Sequence, residues 1–446
     1  MTTVVPPRST EKNRSIEHRR VAREGLVADL RDRVPGRPMP GHFYTDQDVF
    51  DADLDLIFGQ QWFFATTEAE VAEAGDYVTI EVGSRSIIVI RSDDEVVRAF
   101  HNVCRHRGAR VLTQPAGFVG NLVCSYHSWT YGTDGALRHA PNLPGGEDPA
   151  CLGLRKVSIR VIAGLVFLCL AAEPPTDIDD FADRLTPYLA PHNLASAKVA
   201  SQVDIIESGN WKLVMENNRE CYHCDGHPEL SASFFPTYGL ATEDVPDSLR
   251  AAHDQFLLAE TDLRVRCDEL GLPKDVQEDL VGPNVAYRFG REALDGAGES
   301  FSLSGRVLVT KPLADLGETR LGRLTIHSQP NMWVHVMSDH AVVFTALPLS
   351  PDRTLVRTTW LVNADAVDGV NYQLDDLTYV WTETNTQDSV FVARTHAGVT
   401  DPAYLPGPYT AAEYQVDNFV TWYVNRMLEG CGASATQAPA TPAGMA

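Results

Sequence analysis

Basic charge is scarce in this sequence of 446 residues, where 37 Lys and Arg face 60 Asp and Glu for a formal net charge of −23. A balance that negative repels phosphate backbones, and no basic patch interrupts the body of the chain, so no nucleic-acid partner is expected. Long apolar runs are absent as well. The longest, Val161 to Ala172, has twelve residues, which is too few to cross a bilayer and fits a buried strand, so no membrane partner is expected either. The opening residues do not read as a signal peptide. Cysteine is sparse, with eight in all at Cys104, Cys124, Cys151, Cys169, Cys221, Cys224, Cys267 and Cys431. That spread argues against a disulfide framework and predicts a reducing, cytoplasmic setting in which thiolates can serve as metal ligands.

What is present divides the chain into four parts. Between Arg8 and Arg37 nine Lys or Arg accompany five acids, predicting an exposed helical arm over residues 1–45. The acids, Glu11, Glu17, Glu24, Asp29 and Asp32, count against a transit peptide. Over residues 46–178 short β-type runs (Tyr77 to Val82, Ser86 to Ile90, Val96 to Phe100, Leu165 to Leu170) alternate with turn residues and predict a small all-β domain. Glu173-Pro174-Pro175 then breaks the chain. Residues 179–431 mix strands such as Ala341 to Leu347 with helical stretches at Asp204 to Glu229 and Val367 to Ala393, so the fold class is α+β. Residues 432–446, mostly Ala, Thr, Pro and Gly, predict a disordered tail.

Two constellations carry chemistry. Cys104-Arg105-His106 and Cys124-Ser125-Tyr126-His127, seventeen residues apart, place one thiolate and one imidazole on each of two loops. Four such ligands could hold tetrahedral zinc, but zinc motifs pair identical ligands within a loop. One Cys and one His per loop suits a two-iron, two-sulfur (2Fe-2S) cluster with two different irons, the Rieske arrangement. The second constellation follows Asn210-Trp211-Lys212, where a helical segment continues to His223 and His227, four apart and on one predicted helix face. A bland reading is a pair of ordinary helix histidines. The sharper one is two legs of a 2-His-1-carboxylate iron site, completed by a distant acid. Asn385-Thr386-Gln387-Asp388, on the long C-terminal helix, supplies that acid. Cys221 and Cys224 form Cys-x2-Cys, but without a thioredoxin-like βαβ pattern they read as packing residues beside the iron.

His101-Asn102-Val103 before the first loop and Ser128-Trp129-Thr130-Tyr131 after the second resemble the Rieske domain of the aromatic-ring-hydroxylating oxygenase family. Glu216 through Cys224, Asn385 through Asp388 and Tyr404 through Tyr409 extend the resemblance from Phe43 to Leu428, and to members acting on quaternary amines. The resemblance implies a Rieske domain over 46–178, joined to a helix-grip-like catalytic domain with an antiparallel sheet. It implies that Cys104, His106, Cys124 and His127 hold the cluster, and that His223, His227 and Asp388 hold mononuclear Fe(II). Glu220 then takes the place of a bridging carboxylate, and Asn217 matches a position beside the iron. It further implies a homotrimer in which each cluster serves the next subunit's iron. The sequence departs from the family in its His-x3-His spacing, where His-x4-His is usual, and in carrying Glu220 where ring-hydroxylating members carry Asp.

The activity implied is O2-dependent hydroxylation of an N-methyl group of glycine betaine or a related quaternary ammonium compound, with formaldehyde release. The alternative is ring dihydroxylation of an aromatic substrate. No Gly-x-Gly-x-x-Gly fingerprint is present, so a separate NAD(P)H-dependent flavin or ferredoxin reductase is expected to bring the electrons. A quaternary cation calls for aromatic faces. Phe234, Phe235, Tyr238, Tyr287, Phe289, Phe301 and Trp333 are candidates, with Trp333 preferred because Met332 to Met337 reads as a strand lining a pocket. Arg288, Arg306 and Lys311 are candidates for the substrate's carboxylate.

Overall fold

A computed structural model describes residues 24–221, 223–238, 240, 242–435, 437, 438 and 440. Most of the basic stretch at residues 8–23 and the end of the tail at 441–446 lie outside the described residues. Among those described, no helix is long and apolar enough to cross a membrane.

The β domain is a seven-stranded antiparallel sheet. Its strand order is Trp62–Thr67, Leu165–Cys169, Lys156–Ile162, Val97–His101, Arg85–Arg91, Asp76–Val82 and Ala116–Phe118. A three-stranded ribbon, Leu122–Val123, Thr130–Tyr131 and Leu137–His139, carries the second Cys/His loop.

The second domain is built on a seven-stranded antiparallel sheet. Its strands are β1 (Ala197–Glu207), β2 (Gln277–Asp279), β3 (Tyr287–Glu292), β4 (Arg323–Ser328), β5 (Met332–Val336), β6 (His340–Ser350) and β7 (Arg353–Asn363), in the spatial order β1-β7-β6-β5-β4-β3-β2. Five helices accompany it: α1 (Ile178–Leu189), α2 (Trp211–Asn218), α3 (Arg250–Leu270), α4 (Leu374–Thr400) and α5 (Tyr414–Gly430). Both faces of the sheet are covered, as its nearly unbroken burial requires. Leu324, Ile326, Val334 and Val343 pack with Phe181 of α1 and with Phe64 and Phe167 of the β domain. Trp333, Phe344 and Trp360 face the opposite way, toward Trp211, Phe419 and Trp422 of the helices. Asn331 ties the domains together, its amide accepting from Phe64 N at 3.0 Å and donating to Phe64 O at 2.9 Å.

Three expectations need correction. The helical stretch from Asp204 is strand as far as Glu207, because Gln202, Asp204 and Ile206 alternate outward with Val203, Ile205 and Glu207 inward. Helix α2 starts only at Trp211, where the Asn210 side chain accepts from Lys212 N at 3.1 Å and caps the first turn. The arm is not simply exposed, since Leu30, Met39, Phe43 and Tyr44 are buried in the main core, and Arg33 pairs with Asp417 of α5. Finally, the long helix spans 374–400 where 367–393 was expected, because residues 363–373 form turns and hydrogen bonds around Asn371.

A buried carboxylate joins the parts. Asp53 accepts from Lys212 Nζ, from Trp211 Nε1 at 3.0 Å and from Tyr423 OH at 2.7 Å. At the chain's end the described tail residues carry no helix or strand, yet they are held along α5. Asn425 exchanges two hydrogen bonds with the Gln437 backbone, at 3.0 and 3.3 Å. Asn418 does the same with Ala440, at 3.0 and 2.8 Å.

Glu207 closes β1 as a buried acid, and its Oε2 has no hydrogen-bond partner among the described residues. Burial first, and the Asp388 charge second, push its carboxyl up to about 8. In the unfolded chain a glutamate titrates near about 4.3. The folded protein therefore keeps a proton that the unfolded chain releases between those values. The resulting stability is complete below about 4.3 and lost as pH climbs through about 8. Glu207→Gln cannot ionise, so its Tm relative to wild type should rise by about 4 °C or more between pH 5 and pH 9. Thermal unfolding of both proteins at the two pH values checks this.

Candidate active site

The two Cys/His loops meet at one tip of the β domain. Asn102 fastens the first, donating to Ser86 Oγ at 3.0 Å and Leu112 O at 2.7 Å and accepting from Val111 N and Leu112 N, both at 2.9 Å. Cys104 and Cys124 are buried. His106 and His127 lie above them toward solvent, with their Nδ1 atoms 3.1 Å apart. Trp129 stacks on His106 at 5.0 Å, and Tyr131 OH lies 3.2 Å from Cys104 Sγ. Burial pushes the Cys124 thiol up. A buried thiol pair under an imidazole pair, each pair drawn from both loops, is the donor set that a cluster with one Cys-bound and one His-bound iron requires.

The second constellation converges on a different local structure from the one expected. α2 ends at Asn218, since consecutive asparagines favour turns over helix interior. His223 and His227 then lie on a loop around a 3-10 turn at Cys224–Gly226. Cys221 and Cys224 are joined in a disulfide that brackets His223, where simple packing residues were expected. Cys104, Cys124, Cys151, Cys169 and Cys267 remain thiols, so the cysteines still form no disulfide framework.

Donor atoms of His223, His227 and Asp388 all lie within 4.8 Å of one another. Asp388 Oδ1 is 3.2 Å from His223 Nε2 and 3.3 Å from His227 Nε2. On the far side of each ring a partner fixes the tautomer, since His223 Nδ1 bonds Glu220 Oε1 at 2.6 Å and His227 Nδ1 bonds Gln387 Oε1 at 2.6 Å. Gln387 is oriented in turn by Glu229, which also accepts from Thr384 Oγ1 at 2.8 Å. Asn217 Nδ2 lies 3.1 Å from His223 Nε2 and 3.4 Å from Asp388 Oδ1.

Burial by itself would lower His223, but Asp388 and Glu220 outweigh it and raise the imidazole to about 10. The Asp388 hydrogen bond raises His227 against burial. Burial would likewise raise Asp388, and the two imidazoles outweigh it and lower the carboxyl. Such a site favours positive charge at one point. The buried His227 Nε2 faces the Asp388 carboxylate at 3.3 Å, an arrangement of two donors that can share a divalent metal.

A cavity of about 100 Å³ opens beside these donors. Phe234 and Tyr238 line it, as do Trp381 and Thr384 of α4 and Arg323, Thr325 and His327 of β4. Trp333 does not. It stacks on Phe344 at 5.0 Å and borders a smaller space of about 30 Å³ behind Asn217 and Asp388, which Trp381 also touches. The other expected residues sit elsewhere. Tyr287 and Phe289 face the β domain side of the sheet, Phe235 joins a separate cluster with α3, and Phe301 packs behind Trp381. Arg288 pairs with Glu278 and Glu292, Lys311 pairs with Asp365, and Arg306 is exposed. The signal that pointed to the true lining was the alternation Arg323-x-Thr325-x-His327, a polar stripe opposite apolar Leu324 and Ile326. For Gln387, its place beside Asp388 was the only hint.

Comparison with known proteins agrees with this geometry. Residues 61–157 match the Rieske 2Fe-2S domain, and residues 194–429 match the ring hydroxylating alpha subunit (catalytic domain). The chain is 40% identical over 417 residues to the glycine betaine monooxygenase oxygenase subunit of Chromohalobacter salexigens, covering 93% of this chain and 91% of that one. It is 38% identical over 416 residues to the subunit of that name in Pseudomonas aeruginosa, covering 92% and 94%. At 20% identity it shares its fold with a quaternary ammonium Rieske monooxygenase solved with L-carnitine, with a TM-score of 0.64 over 90% of this chain and 98% of that one. The cofactors are accordingly a Rieske 2Fe-2S cluster and a mononuclear iron. Matched by both domain models in order, and aligned with its relatives over more than nine-tenths of its length, the chain belongs to the Rieske-type ring-hydroxylating oxygenase alpha-subunit family.

Proposed function

We propose that this chain is the oxygenase component of a system that hydroxylates an N-methyl group of glycine betaine or a close quaternary ammonium relative. The observation that carries the reading is the cavity. Its volume of about 100 Å³ is several times below the roughly 300–1,000 Å³ typical of drug-sized ligands. That suits a small zwitterion. Its lining joins Trp381, an aromatic surface that attracts a cation without needing a hydrogen-bond donor, to the Arg323 guanidinium. The relatives at 38–40% identity, named for glycine betaine, support the same substrate class.

The residue roles are proposed as follows. Cys104 and Cys124 hold one iron of the cluster and His106 and His127 the other. His223, His227 and Asp388 hold the mononuclear iron. When bound, that iron with O2 and two electrons supplies the oxidising power to insert oxygen into a C–H bond. The protein's own residues prepare the site. Glu220 and Gln387 keep protons on the Nδ1 atoms so that both Nε2 lone pairs face the metal. Asn217 Nδ2 donates to Asp388 Oδ1 from the side. A quaternary nitrogen has no lone pair, so reaction begins at a methyl carbon, and the carbinolamine formed there collapses to formaldehyde and the tertiary amine.

Electrons come from a separate reductase, as the name oxygenase subunit implies for the relatives. We place the enzyme in the cytoplasm, as a homotrimer in which Glu220 relays electrons from a neighbour's cluster. Supporting that arrangement, His106 is exposed, as are Val103, Phe118, Val123 and Tyr126 nearby on the same domain. One solved relative is described in terms of inter-subunit electron transfer.

Three experiments test the proposal. With a surrogate reductase and O2, the purified protein should release one formaldehyde per glycine betaine consumed. Formation of a cis-diol from an aromatic acid, without formaldehyde from any quaternary amine, would transfer the assignment to ring dihydroxylation. Asp388→Ala should retain the Rieske EPR signal while losing mononuclear iron and formaldehyde release to background. Gln387→Leu should weaken iron binding by about 10- to 100-fold, measured by metal titration, because His227 loses the partner that sets its tautomer.

A further inference from the structure

We infer that Arg323 is the receptor for the substrate's carboxylate and so sets which way round the substrate lies. The inference rests on the reading that a betaine occupies the cavity. β4 runs Arg323-Leu324-Thr325-Ile326-His327, and strand alternation sends the polar members to the cavity while Leu324 and Ile326 enter the core behind. A buried arginine on the wall of a small cavity must be held by specific partners. Here Arg323 Nε and Nη2 bond Glu292 Oε2 at 2.9 and 2.8 Å. Its guanidinium carbon stands 4.4 Å from the Phe234 ring centroid, 4.6 Å from Tyr238 and 5.5 Å from Phe301. Three rings and one carboxylate thus fix the fork in place, and no protein acceptor for Nη1 is present among the described residues.

Glu292 does not neutralise that fork by itself. Its carboxylate also accepts from Tyr238 OH, Arg288 Nη1 and Thr325 Oγ1, so its charge is divided among four side chains. The guanidinium keeps charge and one free edge for a second anion, the geometry that suits a carboxylate. The aromatic faces of Phe234, Tyr238 and Phe301 are already engaged by this internal cation and cannot also receive a trimethylammonium group, which Arg323 would repel. The substrate's cation is therefore driven to the other end, where Trp381 lines the cavity with His223, His227 and Asp388. Phe301 spans the two ends, 5.5 Å from Arg323 and 5.1 Å from the Trp381 ring. Carboxylate at Arg323 and N-methyl groups at the metal donors give the orientation that N-demethylation needs.

The test uses the reconstituted holoenzyme with its reductase, comparing glycine betaine with choline, which has the same cation and no carboxylate. Arg323→Gln should raise KM for glycine betaine about 10- to 100-fold, with a far smaller fall in kcat, and leave the KM or inhibition constant for choline nearly unchanged. Arg323→Lys should fall between. Calorimetric titration of glycine betaine should show the same loss of affinity, with cluster spectrum and iron content retained. Equal losses for both ligands, or an unaltered KM for glycine betaine, would overturn the assignment in favour of a purely structural arginine. Should Arg323→Gln fail to fold, the wild type decides. Competitive inhibition by acetate and a KM for glycine betaine at least about tenfold below that for choline support the receptor, and equal constants without acetate inhibition refute it. If the wild type turns over no quaternary ammonium compound, the functional reading itself fails, and it does so before any Arg323 variant is measured.

Discussion

The catalytic half of the molecule hangs on one buried carboxylate. Asp53 lies just ahead of the first strand of the β domain, and its two oxygens are shared among Lys212 and Trp211 at the start of α2 and Tyr423 in the middle of α5. A buried ion pair is tolerated when every remaining polar group around it is satisfied, and breaking such a pair by removing one partner costs about 3–5 kcal/mol. The aromatic rings over Lys212 Nζ, at 5.2 Å for Trp211 and 5.1 Å for Tyr423, complete its surroundings. With its first turn fixed in this way, the short helix α2 delivers Asn217, and one residue past its cap Glu220, to a defined place beside α4. A helix of eight residues has little stability of its own, so the precision of the metal donors depends on this anchor at its far end.

From there outward, the site is arranged by hydrogen bonds that select tautomers. Glu220 on one imidazole and Gln387 on the other leave two lone pairs and one carboxylate oxygen facing a common point. The line Thr384, Glu229, Gln387, His227 carries that order from the middle of α4 across to the loop. The cavity wall obeys a related rule. Glu292 gathers two arginines, a tyrosine and a threonine around itself, and the Arg323 guanidinium that it only partly balances faces the cavity.

The Cys/His pairs proposed to hold the cluster were the most legible part of the sequence, because they come as close neighbours on two loops, where spacing alone constrains chemistry. The proposed iron donors were legible as residues but not as structure. His223 and His227 were expected on a helix face, whereas Asn217-Asn218 ends the helix and a disulfide closes the next turn. Their meeting with Asp388 depends on a helix 160 residues further on, and no local pattern encodes that approach. The cavity lining differs from expectation for a reason of packing, not of strand parity. Trp333 lies on the cavity side of β5, but a stacked Phe344 absorbs its face, so Trp381 from α4 reaches the cavity in its place. Arg323, Thr325 and His327 were not legible as a cavity wall because alternating polar residues ordinarily mark a solvent-facing strand, and here they line a small cavity.

The tail shows how little sequence information a docked segment needs. Asn418 and Asn425 stand seven residues apart, two turns of α5, and each closes a two-bond ring with one backbone unit of the tail. Each amide mimics the edge of a β-strand, reading a peptide N–H and C=O and no side chain. Any residue that keeps its backbone N–H satisfies such a clamp equally well. A stretch of mostly Ala, Thr, Pro and Gly can thus lie in register along a helix, with the Gln437 side chain adding bonds to the Arg33 guanidinium and carbonyl that composition alone does not reveal.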